Sequence, residues 1–418
     1  MKRNLRILLA NFTKMTGDTG GTAKVNCAFA NEMVRRGHEV AMVYSDDREG
    51  DCFFRVSEKV LCYNLRHYEG KHQTMPLPYI VWREILRVFS RARANAINDV
   101  FTECALLPNV RKILYDFCPD VILCFQPAAA KTYVLDLNVP VPVILMGHGD
   151  VADWFVNYPS AQVEAIGKCD LCQVLMPSFA RVLQERFPKL STTVIGNVVP
   201  QYEIKADLSA PKERRKVLFL GRLAKGQKRP HLLVEAFCRL ARDFPDWDLE
   251  LWGATDRKSY NQEMDEIAVG AGLSDRVRQM GVTKKVPEVL ATGDIFVFPS
   301  ASEGFGLAVA EAMCVGLPVV AYRSCPALNE LIEDGATGFL SGDGVDALAN
   351  IMARLMGDMD LRVRIGAAAR EAMRAYAPET IWNEWERLLE DAVDKGTKRR
   401  TATKIQLRGC YIFGNKRA

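Results

Sequence analysis

The chain has 418 residues, more than one ordinary domain holds, so two domains are expected. Apolar residues make up 49% and charged residues 25%, which excludes a disordered or fibrous protein. The net charge of +4 is uneven, because residues 395–418 hold eight Lys or Arg and no acid, so the rest of the chain carries −4.

No targeting or membrane-spanning segment is visible. The first apolar run, residues 7–12, is too short for a secretory signal, and no run approaches the roughly 18 apolar residues that span a bilayer. Twelve cysteines lie mostly within apolar runs, which is typical of buried thiols in a reducing compartment. Cys169 and Cys172 are the close pair, and no second ligand pair favours zinc. We expect a cytoplasmic protein, soluble or peripheral.

The chain opens with a predicted strand, helix and strand, at residues 6–12, 23–36 and 38–44. This order is typical of a doubly wound α/β domain. The intervening loop holds Gly17, Gly20 and Gly21, which do not fit G-x-G-x-x-G, so a dinucleotide site with Asp46 as the ribose acid is disfavoured. Gly20 and Gly21 suit close approach of the backbone to a phosphate or acceptor. An ordinary flexible loop is the alternative.

Residues 79–97 have a strongly amphipathic helical pattern. One face is apolar and another carries a basic residue every four positions: Tyr79, Trp82, Ile85, Leu86 and Phe89 on the first, Arg83, Arg87 and Arg91 on the second. Such a helix lies either on an anionic membrane surface or against the core with a solvated basic face. Both interpretations stay open.

Four more strands are predicted before the linker at residues 200–215, namely 120–125, 140–146, 171–176 and 193–199. The second of them ends in Gly147-His148-Gly149. A His at the carboxyl end of a parallel strand lies where active sites of such sheets collect, although a lone His is usually structural.

The second half contains two candidate anion-binding segments. The strand at 216–220 precedes Arg222, and Lys228 follows before the next predicted helix, with Lys225 as the competing lysine. Arg binds two phosphate oxygens at once, and Lys supplies a compact charge. Two solvated basic residues are the alternative. Further elements are predicted at 248–253, 261–271 and 276–280.

Residues 295–322 form the most informative stretch. Strands at 295–299 and 319–322 flank a helix at 307–315, and this βαβ order offers backbone amides to a phosphate. Glu303 on the turn and Glu311 in the helix reach the same sheet edge, where carboxylates accept from sugar hydroxyls. The alternative is a solvated Glu303 and a Glu311 that only favours the helix dipole.

The C-terminal region is predicted to be helical at 348–355, 362–374 and 380–393. The basic tail, residues 395–418, is either a disordered end or an attachment to an anionic membrane. Charge alone would permit nucleic-acid binding, but no other feature favours it.

The segment EGFGLAVAEAMCVGLPVVA resembles retaining GT-B glycosyltransferases of the E-x7-E family, which is glycosyltransferase family 4-like and includes bacterial polysaccharide and lipopolysaccharide enzymes. The resemblance runs from about residue 5 to 390; Val198 departs from it, where Gly is usual. It implies an α/β GT-B fold of two doubly wound Rossmann-like domains facing across a cleft. The implied domains are 1–199, joined by a returning helix at 379–394, and 200–378, followed by the tail at 395–418.

The resemblance also implies roles for individual residues. Arg222 and Lys228 would bind the donor diphosphate, Glu303 the sugar hydroxyls and Glu311 the ribose hydroxyls, while His148 would meet the donor sugar. Other implied donor contacts are Gly304, Phe305, Gly306, Leu307, Gly20, Gly21 and, at the nucleobase loop, Gly281. No metal and no cofactor are implied, since the nucleotide sugar is a substrate.

The expected function is retaining transfer of a hexosyl unit, from a UDP-linked donor, to a glycan or lipid-linked saccharide. Such a reaction serves lipopolysaccharide, capsule or other surface polysaccharide assembly at the inner face of the cell membrane. A nucleotide-sugar epimerase with the same fold, or a non-catalytic sugar-binding protein, is the alternative. An epimerase would release an isomer without any acceptor.

Overall fold

The computed structural model describes residues 3–18, 20–255 and 257–404. The chain divides into two compact units. The first contains the residues up to Ile195 together with those from Trp382 onward, and the second is Gly196–Ile381.

The first unit is built on a parallel sheet. Its strands are β1 (Arg6–Asn11), β2 (Glu39–Tyr44), β3 (Leu61–Asn64), β4 (His67–Tyr68), β5 (Lys71–His72), β6 (Val121–Cys124), β7 (Val143–Gly147), β8 (Leu171–Val174) and β9 (Thr192–Val194). Seven of them form one sheet in the order β3-β2-β1-β6-β7-β8-β9, while β4 and β5 form a separate antiparallel pair. The apolar runs predicted as strands are buried, as expected for a parallel sheet covered on both faces.

Helices connect these strands. They are α1 (Gly21–Arg35), α2 (Leu77–Phe89), α3 (Arg91–Phe101), α4 (Leu107–Phe117), α5 (Pro127–Lys131), α6 (Ala152–Asn157), α7 (Ser160–Ile166) and α8 (Pro177–Arg186). Short π-helical turns follow α3 and α5, at Thr102–Leu106 and Thr132–Asp136.

The single helix predicted at residues 79–97 is wrong, because the structure has two helices there. Ser90 has an extended backbone and its hydroxyl accepts a hydrogen bond from Arg93 N, which caps the start of α3. None of the residues of α2 is buried, so the core-facing alternative is also wrong. The apolar face predicted for this helix is exposed, with Trp82 59% and Phe89 80% accessible.

The second unit is built on a six-stranded parallel sheet. Its strands are β10 (Arg215–Leu220), β11 (Trp247–Trp252), β12 (Val277–Gly281), β13 (Ile295–Phe298), β14 (Val319–Tyr322) and β15 (Phe339–Ser341). They lie in the order β12-β11-β10-β13-β14-β15. Its helices are α9 (Pro230–Leu240), α10 (Lys258–Gly270), α11 (Val286–Ala291), α12 (Leu307–Cys314), α13 (Leu328–Leu331), α14 (Val345–Gly357) and α15 (Met359–Ala372), before a 3₁₀ turn at Met373–Tyr376.

The last helix, α16 (Pro378–Lys404), is longer than the predicted one and includes the start of the predicted tail. Trp382 and Trp385 are buried and meet the ring of Phe29 on α1 edge-on, at centroid distances of 5.5 and 5.0 Å. An ion pair of 2.8 Å between Arg36 and Glu386 adds a polar contact beside these rings. Residues 405–418 of the tail lie outside the described residues.

Among the residues described, none of the helices combines the length and apolar character that crossing a membrane requires.

Candidate active site

The second sheet reverses its strand order between β10 and β13. Chain order runs outward from β10 to β12 on one side and from β13 to β15 on the other. Ligands of open α/β sheets bind outside the carboxyl ends of the strands at such a switch point. Arg222 and Lys228 follow β10 and Glu303 follows β13, so three of the predicted catalytic residues meet at this edge.

Lys228 and Glu303 form an ion pair through Nζ and Oε1. The Ser300 hydroxyl donates a 2.5 Å hydrogen bond to the same carboxylate oxygen. Both side chains are largely buried, with 15% of Lys228 and 10% of Glu303 accessible. A charge pair with this little solvent interacts more strongly than a surface pair, because screening is weak.

Hydrogen bonds hold the two loops of this site together. The Gln227 carbonyl accepts from Ala301 N at 2.7 Å. Arg229 Nε donates to the Pro299 carbonyl at 3.0 Å. The loop that carries Lys228 is therefore fastened to the loop that carries Glu303 by main-chain acceptors.

Arg222 joins the same network from its exposed position. Its Nη2 lies 3.5 Å from Gln227 Oε1, and Gln227 Nε2 donates to the Ser302 carbonyl at 3.0 Å. Neither Gln227 nor Ser300 belongs to a recognised motif, and neither was predicted as a site residue. The usable signal for Ser300 was a hydroxyl residue placed directly after a buried strand.

The competing lysine, Lys225, has a different partner. Its Nζ lies 2.6 and 2.7 Å from the two carboxylate oxygens of Glu263 on α10. More than half of its side chain is accessible, and Nζ lies 6.0 Å from the Tyr260 ring centroid. Lys228 is thus the lysine that lies beside Glu303.

The turn before α12 depends on Gly306. Its φ of +86° is left-handed, and a Cβ at this position would lie 2.3 Å from Leu328 Cδ2. The turn brings Gly304 and the first helical residue, Leu307, to the sheet edge. Phe305 is 2% accessible and packs edge-on to Tyr376, so its backbone is the part left for a ligand.

Glu311 lies within α12 and is 6% accessible. The Tyr202 hydroxyl lies 3.4 Å from Glu311 Oε1. Burial, and then the nearby carboxylate, raise the pKa of Tyr202, so this hydroxyl stays a donor at neutral pH. Tyr202 comes from the segment predicted as a linker, where its aromatic ring was not recognised as a site feature.

The neighbouring strands β11 and β12 end close to this edge. Gly253 follows β11, and a Cβ on it would lie 1.8 Å from the Gly221 carbonyl oxygen, so only glycine fits there. Gly253 N donates to the Gly281 carbonyl at 2.8 Å. Gly281, predicted at the nucleobase loop, is the last residue of β12.

In the first unit, the glycine loop between β1 and α1 is fixed by Asp46. Its Oδ2 accepts from Met15 N and Thr16 N at 2.8 Å each, and its Oδ1 from Arg48 N at 3.0 Å. Burial opposes ionisation of Asp46, but these hydrogen bonds outweigh it and lower its pKa. A carboxylate occupied by backbone amides does not act as a ribose acid, which is a further reason against a dinucleotide site.

Gly20 and Gly21 lie at the start of α1. Gly20 is the N-cap residue and its N–H donates to Asp18 Oδ1 at 2.9 Å, while Gly21 is the first helical residue. A Cβ at Gly21 would meet nothing within 4 Å. The main chain here is therefore open to a ligand on that side.

His148 follows β7 directly. Its ring stacks on Phe125 at a centroid distance of 5.0 Å, and its Nε2 is buried without a hydrogen-bond partner among the described residues. Burial lowers the pKa of His148 to about 4. The ring is therefore neutral at physiological pH and suited to a hydrogen bond with a neutral group, such as a sugar hydroxyl.

Metal-binding side chains do not cluster in the part of the chain that the structure describes, since no group of three His, Cys, Asp or Glu there has the geometry for an ion. Cys169 and Cys172 are both buried, and burial raises the pKa of each thiol. These thiols are therefore protonated and inert at neutral pH.

Residues 200–372 match the family model described as "Glycosyl transferases group 1". By sequence the chain is similar to an uncharacterized glycosyltransferase of Haemophilus influenzae, 23% identical over 387 residues that cover 90% of this chain and 98% of that protein. It is also similar to the lipopolysaccharide core biosynthesis mannosyltransferase LpsB of Rhizobium meliloti, 32% identical over 41% of this chain and 49% of LpsB. The aligned part is about half of that relative.

Several solved structures resemble nearly the whole chain. Sucrose-phosphate synthase from Thermosynechococcus elongatus has a TM-score of 0.70 at 18% identity, covering 96% of this chain and all of that one. Anabaena HepE in complex with UDP and glucose has a TM-score of 0.67 at 18% identity, covering 92% of this chain and 99% of that one. At these identities the likeness concerns the fold, and it confirms the GT-B prediction.

Proposed function

We propose that the chain moves a hexosyl unit from a UDP-sugar to a glycan or glycolipid with retention of configuration. The match of residues 200–372 to the group 1 glycosyl transferases, within a GT-B fold, supports this proposal. The observation that carries the proposal is the Lys228–Glu303 pair, with Arg222, at the switch point of the second sheet.

The proposed role of the cations follows from the charge that develops on the leaving group. When the bond between the sugar and the diphosphate breaks, the terminal phosphate oxygen gains negative charge. Lys228 and Arg222, already fixed by the loop network, would stabilise that charge without reorganising. Glu303 is the counter-ion of Lys228 within the chain, and a donor diphosphate would supply a second one.

The acids and the imidazole would position the donor. We assign the sugar hydroxyls to Glu303, the ribose hydroxyls to Glu311 and a further sugar contact to His148, which is neutral at physiological pH. In a retaining reaction of this kind, the departing phosphate oxygen accepts the proton of the attacking hydroxyl on the same face of the sugar. This route uses neither a covalent nucleophile of the chain nor a metal.

The acceptor is proposed from the relatives. LpsB is a lipopolysaccharide core mannosyltransferase by its name, and the chain shares 32% identity with half of it. Cell-surface polysaccharide assembly, with a lipopolysaccharide or related glycan as acceptor, is therefore the setting that we infer.

A thermal-shift panel of UDP-, GDP- and ADP-sugars, each with and without EDTA, tests the donor assignment. A ligand that binds only the folded protein raises its free energy of unfolding, by about 2.7 kcal/mol when the ligand concentration is 100 times its Kd, and Tm rises as a result. We expect UDP-sugars to raise Tm most, EDTA to change nothing, and NMR of the product to show an α-linkage from an α-linked donor. Equal shifts from all three nucleotides, loss of transfer with EDTA, or a β-linked product would contradict the corresponding part of the proposal.

We further propose that helix α2 attaches the enzyme to a membrane. Six exposed apolar residues fall within roughly 140° of its circumference at 100° per residue, which is the pattern of an interfacial helix. They are Leu77, Val81, Trp82, Ile85, Val88 and Phe89. Arg83 and Arg87 point elsewhere, since they line a pocket of the first unit and pair with Glu84.

Co-sedimentation with liposomes tests this attachment. The double variant Val88→Ser, Phe89→Ser should lose about 100-fold or more in affinity, because burying each of the two side chains is worth about 1.5–3 kcal/mol. The matched control replaces two exposed valines elsewhere, Val156→Ser and Val269→Ser, which are 75% and 63% accessible. Equal binding by both double variants would remove α2 from the contact. Deleting residues 395–418 tests the tail separately, as a loss confined to low salt and anionic lipid.

A further inference from the structure

A pocket of about 760 Å³ lies within the first unit, at the carboxyl edge of its sheet. The segments after β1, β2 and β6 form one side of it, and α2 and α3 form another. Its volume falls in the range of sites that enclose a drug-sized ligand. The sheet order reverses between β1 and β6, so the pocket occupies the switch point of this sheet.

We propose that this pocket binds a saccharide carrying a carboxylate or a phosphate, and that this saccharide is the acceptor. The second part rests on the proposed function, whereas the first part does not. The argument for the negative charge comes from the basic residues of the lining, and the argument for the saccharide comes from a buried carboxylate and amide.

The lining of the pocket has more cations than its own acids neutralise. Five basic side chains line the pocket, namely Lys14, Arg48, Arg66, Arg83 and Arg87. Of the three aspartates in the lining, Asp46 is taken by backbone amides and Asp47 pairs with Arg66 at 3.1 Å. For the exposed side chains of Arg48 and Lys14, the described residues supply no ion pair or hydrogen-bond acceptor. Arg83 and Arg87 share the carboxylate of Glu84, so Arg48 and Lys14 are the lining cations left to attract an anionic ligand.

Another part of the lining is suited to hydroxyl groups. Asp99 on α3 and Gln162 on α7 are 8% and 2% accessible, and Gln162 Nε2 donates to Asp99 Oδ1 at 2.7 Å. Gln162 Oε1 is buried with no donor among the described residues. A buried acceptor without a hydrogen bond destabilises the fold unless a ligand supplies the donor. A sugar hydroxyl does so, and a neighbouring hydroxyl reaches Asp99.

The ionisation of Asp99 makes sugar binding in this pocket depend on pH. Burial raises the pKa of Asp99 to about 6, with the Gln162 hydrogen bond and the Lys131 charge opposing. Arg66, Arg83 and the Glu103–Lys131–Asp136 cluster are the other charged groups around it. Above its pKa the carboxylate accepts from two hydroxyls; below it, one oxygen is lost as an acceptor.

Calorimetric titration of the full chain, saturated with UDP, tests the site with four probes: glucose, glucuronate, glucose 6-phosphate and inorganic phosphate. We expect the two anionic sugars to bind, glucose at least about tenfold more weakly because it lacks a charge-assisted hydrogen bond, and inorganic phosphate also weakly. The stronger of the two anionic sugars identifies the acidic group. The same titrations are repeated without UDP, and weaker binding of either sugar with UDP than without it would mean that the sugar occupies the donor site and would overturn the proposal.

Two variants locate the binding. Arg48→Gln should weaken both anionic sugars about tenfold while leaving glucose unchanged, whereas Asp99→Asn should weaken the sugars and leave inorganic phosphate unchanged. Arg181→Gln, an exposed arginine on α8 of the same unit, is the matched control and should change nothing. The proposal would be overturned if glucose bound as tightly as glucuronate, or if neither anionic sugar bound. It would also be overturned if the two arginine variants had equal effects. Failure of UDP to bind would contradict the proposed function instead.

Discussion

Replacing Lys228 with alanine should lower kcat/KM for sugar transfer by about 100- to 1000-fold, the usual cost of removing one fixed donor to a developing negative charge. The loss should appear in kcat, because the charge on the leaving diphosphate is greatest in the transition state. Steady-state kinetics with a UDP-sugar and a glycan acceptor would measure it. The effect on UDP binding should be smaller, since Arg222 and the backbone amides before α12 would still contact the nucleotide.

The chain supplies its own control for this prediction. Lys225 lies three positions earlier on the same loop and pairs with Glu263, so Lys225→Ala removes an equal charge from the loop but not from the Glu303 side. Because Lys228→Ala leaves the buried Glu303 without its counter-ion, Tm should be measured for both variants. Similar kinetic losses in the two folded variants would contradict the special role of Lys228.

The bounds of the strands in the second sheet could be predicted closely, because a buried parallel strand depends on neighbouring residues in the sequence. Buried parallel strands require continuous apolar runs, and such runs are visible in any window of the sequence. The strand predicted at residues 319–322 is β14 with the same bounds, and β10 begins one residue earlier than predicted. The turn before α12 carries its glycines for a local backbone reason as well, because Gly306 has a left-handed φ.

The break at Ser90 shows where hydrophobic periodicity misleads. Apolar residues continue at helical spacing through Phe89 and again in α3, so the pattern favoured one helix. The competing signal was a serine able to cap a new helix by accepting from Arg93 N. A cap decides between one helix and two, whereas periodicity reports only that a helix exists.

The hydrogen bonds across the candidate site could not be predicted from the sequence, for a different reason. Gln227 reaches Ser302, and Arg229 reaches Pro299, across about seventy positions of chain. Such hydrogen bonds have no periodicity and use common residue types. The same holds for Gln162 and Asp99, which meet only because α7 and α3 are adjacent at the pocket. Residues that belong to a motif could be predicted, whereas the residues that hold them in place are common types recognisable only in the folded structure.

Replacing Glu303 with glutamine should abolish most transfer while UDP binding persists or strengthens. The substitution keeps the shape of the side chain and the contact with the Ser300 hydroxyl, but removes the charge that sugar hydroxyls would hydrogen-bond. Charge-assisted hydrogen bonds contribute about 1.5–3 kcal/mol each, so we expect kcat to fall about 100-fold. Lys228 would lose its internal counter-ion, and the affinity for the UDP diphosphate should rise, most clearly at low salt.

Glu263→Gln is the matched control, because it frees Lys225 in the same way without altering the Lys228 pair. Transfer rates and calorimetric titrations with UDP, on both variants, separate the two contributions of Glu303. Transfer close to that of the unmodified enzyme would remove Glu303 from the reaction. A fall in UDP affinity as large as the fall in kcat would instead mean that Glu303 acts through the nucleotide, since a residue that contacts only the sugar leaves the affinity for sugar-free UDP intact.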